Sequence, residues 1–125
     1  MDRIDMRVIV EPVSRVEMAD TAPAESSSDI RRRVLTARAA AAERFSQFPW
    51  QLNSQIPARE LRTTFSPERA ALNFLHDELD RERITARGLH KVMRLAWTLA
   101  DLSGRVRPTL DDVQSAYALR EGAEI

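Results

Sequence analysis

The sequence predicts an all-α fold: a bundle of four to five helices, preceded by one short strand and a flexible linker. Three observations lead there. Apolar residues recur at spacings of three and four from about residue 29 to residue 121. Capping residues and prolines punctuate that stretch at intervals that suit helices of ordinary length. Only one segment, residues 4–10, alternates apolar and polar as a strand does.

Ile4, Met6, Val8 and Val10 alternate with Asp5 and Arg7, and Pro12 ends the pattern. A single strand leaves its backbone groups unpaired, and no second convincing strand follows. The strand is therefore expected to be isolated, as if cut from something larger. Residues 14–28 run through Thr21-Ala22-Pro23-Ala24-Glu25 into Ser26-Ser27-Ser28, a linker by composition.

Ser26 with Asp29 resembles a capping box opening a helix over 29–48. Ile30, Val34, Ala37, Ala41, Phe45 and Phe48 share its apolar side, and Arg31, Arg32, Arg33, Arg38 and Arg44 fall on other faces. Pro49 stops it. Pro57 opens a short helix ending near Thr64, and Ser66-Pro67-Glu68 reads as the next N-cap with proline at the first helical position. The helix behind it buries Ala71, Leu72, Leu75 and Leu79, and frays through Asp80-Arg81-Glu82-Arg83. Thr85 caps a helix over 86–103, the most apolar of all, with Leu95 and Leu99 expected at its centre. Gly104 suits its end. Thr109 with Asp112 makes another capping box for a helix over 110–121, and Gly122 closes it.

Composition removes several classes of function. The chain has 125 residues, 19 Lys+Arg, 19 Asp+Glu and no cysteine. Disulfides, thiolate metal sites and a cysteine nucleophile are excluded. Three glycines leave little for a phosphate-cradling loop, and neither GxxxxGK[ST] nor GxGxxG occurs. No apolar run nears the roughly 20 residues of a membrane span, and residues 1–5 lack a signal peptide's apolar region. A cytoplasmic chain with no membrane partner is expected. Neutrality hides a pattern: residues 30–63 carry seven Arg against two acids, and residues 84–107 carry five cations against Asp101.

His76 and His90 lack ligand spacing, so no metal site is expected. Arg31-Arg32-Arg33 point about 100° apart and make no single stripe. They suit solubility first and phosphate contact second. Arg87 stands out. It occupies the second helical position after Thr85, where a cation opposes the positive helix end. Gly88 follows, at a cost of about 1 kcal/mol of helix propensity against Ala. Two locally poor choices in succession suit an anion held by Arg87 and the open backbone N–H groups, with Gly88 allowing another backbone or a ligand to approach.

Residues 84–102, ITARGLHKVMRLAWTLADL, resemble the "LSARAxHRxLRVARTIADL" stretch of magnesium-chelatase-like AAA+ ATPases of the ComM type. Val113 to Arg120 resembles the closing "HVxEALxYR". Asp2-Arg3-Ile4-Asp5 is similar to "LLDRFD", and Ile30 to Arg38 to "IRxRVxxAR". Trp97 stands where the family has an arginine, and Asp112 where it has a histidine.

The resemblance implies the C-terminal part of a hexameric motor. Residues 1–13 then end the ATPase core, 14–28 link it, and 29–125 form the helical lid. Arg87 falls on the sensor-2 arginine that meets nucleotide phosphate, and Arg3 on an arginine finger. ATP and Mg²⁺ would belong to the full-length parent alone, and this part would not be an enzyme by itself. Its partners would be the upstream core, neighbouring subunits and, in a branch-migration motor, DNA. The alternative is a stand-alone helical DNA-binding or protein-interaction module.

Overall fold

The computed structural model describes residues 6–9, 26–121 and 123–124. Along the chain come β1 (Val8–Ile9), α1 (Ser27–Arg44), a 3-10 turn (Asn53–Gln55), α2 (Ala58–Leu61), α3 (Arg69–Asp80), α4 (Ala86–Leu102), α5 (Leu110–Glu121) and β2 (Ala123–Glu124). The fold is the expected helical bundle. Among the described residues, no helix is long and apolar enough to cross a membrane.

α4 is the hub: α1, the 3-10 turn, α2, α3 and α5 all pack against it. The reason is its composition. Leu89, Val92, Met93, Ala96, Trp97 and Ala100 are all buried, so more than one side of the cylinder is apolar and each neighbour finds a face. Leu95 and Leu99, expected at the centre, are instead half-buried against the core's edge, and Leu102 is exposed. The centre lies on the Val92, Met93 and Ala96 side, where Ala71, Leu75, Val113 and Ala116 of α3 and α5 complete the cluster.

Local signals set most element ends. Ser26 Oγ accepts from Asp29 N at 3.1 Å, so the serines expected in the linker cap α1 and form its first turn. Residues 14–25 lie outside the described residues. α1 stops at Arg44 rather than 48. The chain turns there and stacks Phe45, Phe48, Trp50 and Phe65 edge-on or tilted, with ring centroids 4.8–6.2 Å apart. α3 begins at Arg69, not behind Ser66, because Pro67 is fully buried and Glu68 N donates to Pro108 O at 3.0 Å.

The end of α3 is not frayed. Glu82 N donates to Leu79 O and Arg83 N to Glu78 O, each at 3.0 Å, with Glu82 at φ 59°. That is a Schellman closure. α4 ends the same way: Gly104, at φ 73°, donates to Asp101 O, and Arg105 N donates to Ala100 O. Thr109 and Asp112 form the expected reciprocal cap of α5, at 3.0 and 3.3 Å.

Two expectations about exposure change. Ile30 and Val34 on α1 are exposed, so the apolar stripe is covered only from Ala37 onward. The strand expected to be isolated is described at Val8–Ile9, where it runs parallel to Ala123–Glu124, and Arg7 N donates to Leu119 O. Two residues at one end of the chain find two at the other.

Candidate functional site

The start of α4 is built by Thr85. Its hydroxyl accepts from Gly88 N at 3.0 Å, and its carbonyl accepts from Leu89 N at 2.8 Å. Among the described residues, the N–H groups of Ala86 and Arg87 make no hydrogen bond. They project from the positive end of a 17-residue helix.

Arg87 is exposed, and among the described residues its guanidinium makes no ion pair or hydrogen bond. Arg31, Arg38 and Arg59 share that freedom, so position rather than freedom distinguishes Arg87. It is the one of these four beside the open N–H groups of α4.

Gly88 is buried, and the structure shows what needs the space. A Cβ there would lie 3.0 Å from Ile84 Cγ1, 3.3 Å from the capping Thr85 Oγ1 and 3.5 Å from Arg120 Nε. Side chains, rather than another backbone, make the close approach. Gly88 thus leaves room for Ile84 and the capping Thr85, while Arg120, from the last turn of α5, lies at ordinary contact distance from it. Sequence reasoning did not place Arg120 beside the start of α4, because only the fold brings α5 there.

The Trp97 position is filled by packing. Its ring is buried, and Nε1 donates to Phe65 O at 2.8 Å. A cation comes from α1 instead: the Arg44 guanidinium lies 4.3 Å from the Trp97 ring centroid. Arg44 Nη1 and Nη2 donate to Asp101 Oδ1 and Oδ2 at 2.8 and 2.7 Å. Asn53 completes the group, donating to Asp101 Oδ2 and Thr98 Oγ1 while accepting from Arg44. Expected on an outer face of α1, Arg44 is instead a half-buried clamp between α1, the 3-10 turn and α4.

Two further groups have shifted titration. Burial pushes the Asp112 carboxyl up, but hydrogen bonds from Arg105 and Thr109 outweigh it and hold the group below the usual carboxylate range. Burial, and then the charges of Arg94 and Arg62, hold His90 below its ordinary value. Among the described residues, no group of three or more His, Asp or Glu converges to hold a metal ion. Arg3 lies outside the described residues.

Comparison with known proteins agrees with this architecture. Residues 24–120 match the family described as magnesium chelatase, subunit ChlI C-terminal. Uncharacterized proteins of Mycobacterium bovis and Mycobacterium tuberculosis are each 38% identical over 121 residues. That alignment covers 97% of this chain and 24% of each relative, so the chain spans about a quarter of their length. Arg87, Arg120 and the Arg44 clamp all fall within the matched stretch, and the chain belongs to the magnesium chelatase ChlI C-terminal family.

Proposed function

We propose that this chain is the lid of a magnesium-chelatase-like AAA+ ATPase of the ComM type, and that Arg87 carries its sensor-2 contact to nucleotide phosphate. The observation that carries this reading is the start of α4. Among the described residues, a guanidinium without a partner and two backbone N–H groups without hydrogen bonds share one helix end. Such an end suits a phosphate, and a bidentate guanidinium adds geometry to charge.

The lid does not supply the whole reaction. Phosphoryl transfer also needs a phosphate-cradling loop and a carboxylate on Mg²⁺, and these belong to the upstream part of the parent. When bound there, ATP and Mg²⁺ supply the transferable phosphoryl group and its charge neutralisation. Arg87 and the N–H groups of α4 hold and orient phosphate oxygens, while the clamp at Arg44 keeps α4 rigid as the lid closes. Arg3 would act as an arginine finger, and neighbouring subunits of a hexamer would sense closure.

The test is ATP turnover by the full-length parent carrying Arg87→Ala. A loss of about a hundredfold is expected, the scale of removing one transition-state donor. Turnover within twofold of the unmodified parent would sink the assignment.

A second reading rests on α1, whose exposed turns carry Arg31, Arg32, Arg33 and Arg38. They suit contact with DNA phosphates, as a branch-migration motor or a stand-alone DNA-binding module would make. Affinity of the chain for duplex DNA falling steeply with salt would favour it.

A further inference from the structure

The first half of α1 stands clear of the core. Residues 26–36 are all exposed, and the first buried residue of α1 is Ala37. So short a stretch of helix is marginal in water without a packed face. Ile30 and Val34 nevertheless extend the stripe of Ala37 and Ala41 at spacings of three and four.

The stripe leads into a groove. Its volume is about 500 Å³, and its walls include Val34, Ala37, Ala41, Leu52, Thr98 and Leu102. Leu52 precedes the 3-10 turn and Leu102 ends α4, and both are exposed. From Ile30 to Ala41 the stripe runs about 16 Å, or roughly three turns. Its alanines are small enough to let another backbone come close.

The charge beside the stripe has one sign. Arg38 also lines the groove, and Arg31 lies about two turns away on the same flank of α1. Among the described residues, neither guanidinium makes an ion pair or a hydrogen bond. The nearby carboxylates are engaged or turned away. Asp29 pairs with Arg32 at 3.7 Å. Asp101 lines the groove, but its side chain is 2% exposed and bonded to Arg44 and Asn53. Glu43 falls about 140° around the helix from Arg38.

We propose that the stripe and groove receive an acidic amphipathic helix of a partner protein. Its apolar side chains cover Ile30, Val34, Leu52 and Leu102, and its carboxylates meet Arg31 and Arg38. A stripe of about three turns matches the i, i+3, i+4 and i+7 anchors by which an amphipathic helix lies in a groove. Charge argues against a second copy, since two such stripes face to face would set Arg31 and Arg38 against their own counterparts. Apolar area argues against duplex DNA, whose phosphates would meet the guanidiniums and leave Ile30 and Val34 in water.

The experiment titrates the 125-residue chain with a synthetic helical peptide of about 15 residues. The peptide carries leucines at spacings of three and four, with glutamates beside them. A second peptide has lysine for every glutamate. Amide NMR shifts follow each residue, and melting temperatures confirm folding. Saturable shifts at Ile30, Val34, Leu52 and Leu102 are expected with the acidic peptide, and the basic one should bind about tenfold or more weaker. Val34→Asp should weaken the acidic peptide by a similar factor. Arg31→Glu with Arg38→Glu should reverse the preference between the peptides, and both positions are exposed, so the fold should tolerate it. Absence of saturable shifts with the acidic peptide, equal affinity for the two peptides, or an unchanged preference in the folded reversal variant overturns the proposal. Three other occupants would also overturn it. Concentration-dependent shifts at Ile30 and Val34 without peptide assign the stripe to a second copy. Tighter saturation of the same residues by a duplex oligonucleotide assigns it to nucleic acid. Shifts there in a chain carrying Val13→Ser, Val16→Ser and Met18→Ser, without peptide, assign it to residues 10–25 of the same chain.

Discussion

The Arg44 guanidinium lies 4.3 Å from the Trp97 ring centroid while both of its Nη atoms donate to the Asp101 carboxylate. Trp97 and Asp101 are four residues apart on α4, so one arginine from α1 covers a full helical turn. The Arg44 side chain is 16% exposed and that of Asp101 2%. Charges this deep are held by their partners, and removing one strands the other.

Arg44→Met should therefore be costly. The methionine keeps part of the stem's packing on Trp97 but leaves Asp101 as a buried, unpaired carboxylate. The expected loss is about 3 kcal/mol or more. Adding Asp101→Leu should recover much of it, because the pair as a whole is nearly replaceable by apolar contact. Urea melts of both single variants and the double variant give the coupling directly. Additive losses would mean that the two residues act separately.

Glu82 closes α3 at φ 59°, where a side chain is strained and glycine is not. The hydrogen bonds of that closure are backbone to backbone, so they survive substitution. Glu82→Gly should stabilise the chain by about 0.5–1 kcal/mol, the strain relieved less the flexibility added to the unfolded chain. At roughly 4–8 °C per kcal/mol for a domain of about a hundred residues, thermal melting resolves the gain. A lower melting temperature would show that the Glu82 side chain does more than fill the turn.

Asp112 gives the pH dependence a sign. Its carboxyl is held below the usual value in the folded chain, despite its burial, by Arg105 and Thr109. The unfolded chain binds that proton more readily, so this group's contribution is complete above the unfolded value near 4. It is lost as pH falls through the depressed folded value. Melting temperature followed from pH 6 downward should drop below about pH 4. Asp112→Asn should be less stable at pH 6 and show a shallower fall. Equal slopes in both proteins would refute the linkage.

Core truncations should rank by side of α4. Met93 is fully buried at the centre, so Met93→Ala should cost about 2–5 kcal/mol. Leu99 is half-buried at the core's edge, and Leu99→Ala should cost less than Met93→Ala. Denaturant midpoints of the two variants test the ranking, and the reverse order would move the centre of the bundle.

What the sequence made legible follows from the range of the forces involved. Caps act over three residues, so Ser26, Thr85 and Thr109 were readable, as was the apolar breadth of α4. Tertiary choices were not. Periodicity placed Ile30 and Val34 on the same stripe as Ala41, but only packing decides how much of a stripe is covered. Arg44 read as a surface cation because its partner is 57 positions away. The alternation over residues 4–10 marked Val8–Ile9 as strand, but its partner Ala123–Glu124 is too short to carry any period. Of the candidate site, Arg87 and Gly88 were visible as local anomalies, whereas Arg120 needed the fold to bring α5 to the start of α4.

Arg87 should matter to the parent's chemistry and not to this fold. It is exposed, and among the described residues no carboxylate pairs with it. Its removal therefore strands no buried group. It sits at the second position of α4, where positive charge opposes the helix dipole. Arg87→Ala should leave the melting temperature of the 125-residue chain unchanged or slightly higher. Arg120→Ala provides the contrast: that side chain is half-buried in the α4–α5 contact, so its removal should lower the melting temperature. In the full-length parent, Arg87→Ala should reduce ATP turnover about a hundredfold, with Arg87→Lys recovering only part, because an ammonium lacks the bidentate fork. Paired measurements separate the roles. Unfolding of the short chain by Arg87→Ala would make Arg87 a structural residue. Full rescue of turnover by lysine would reduce its contribution to charge alone.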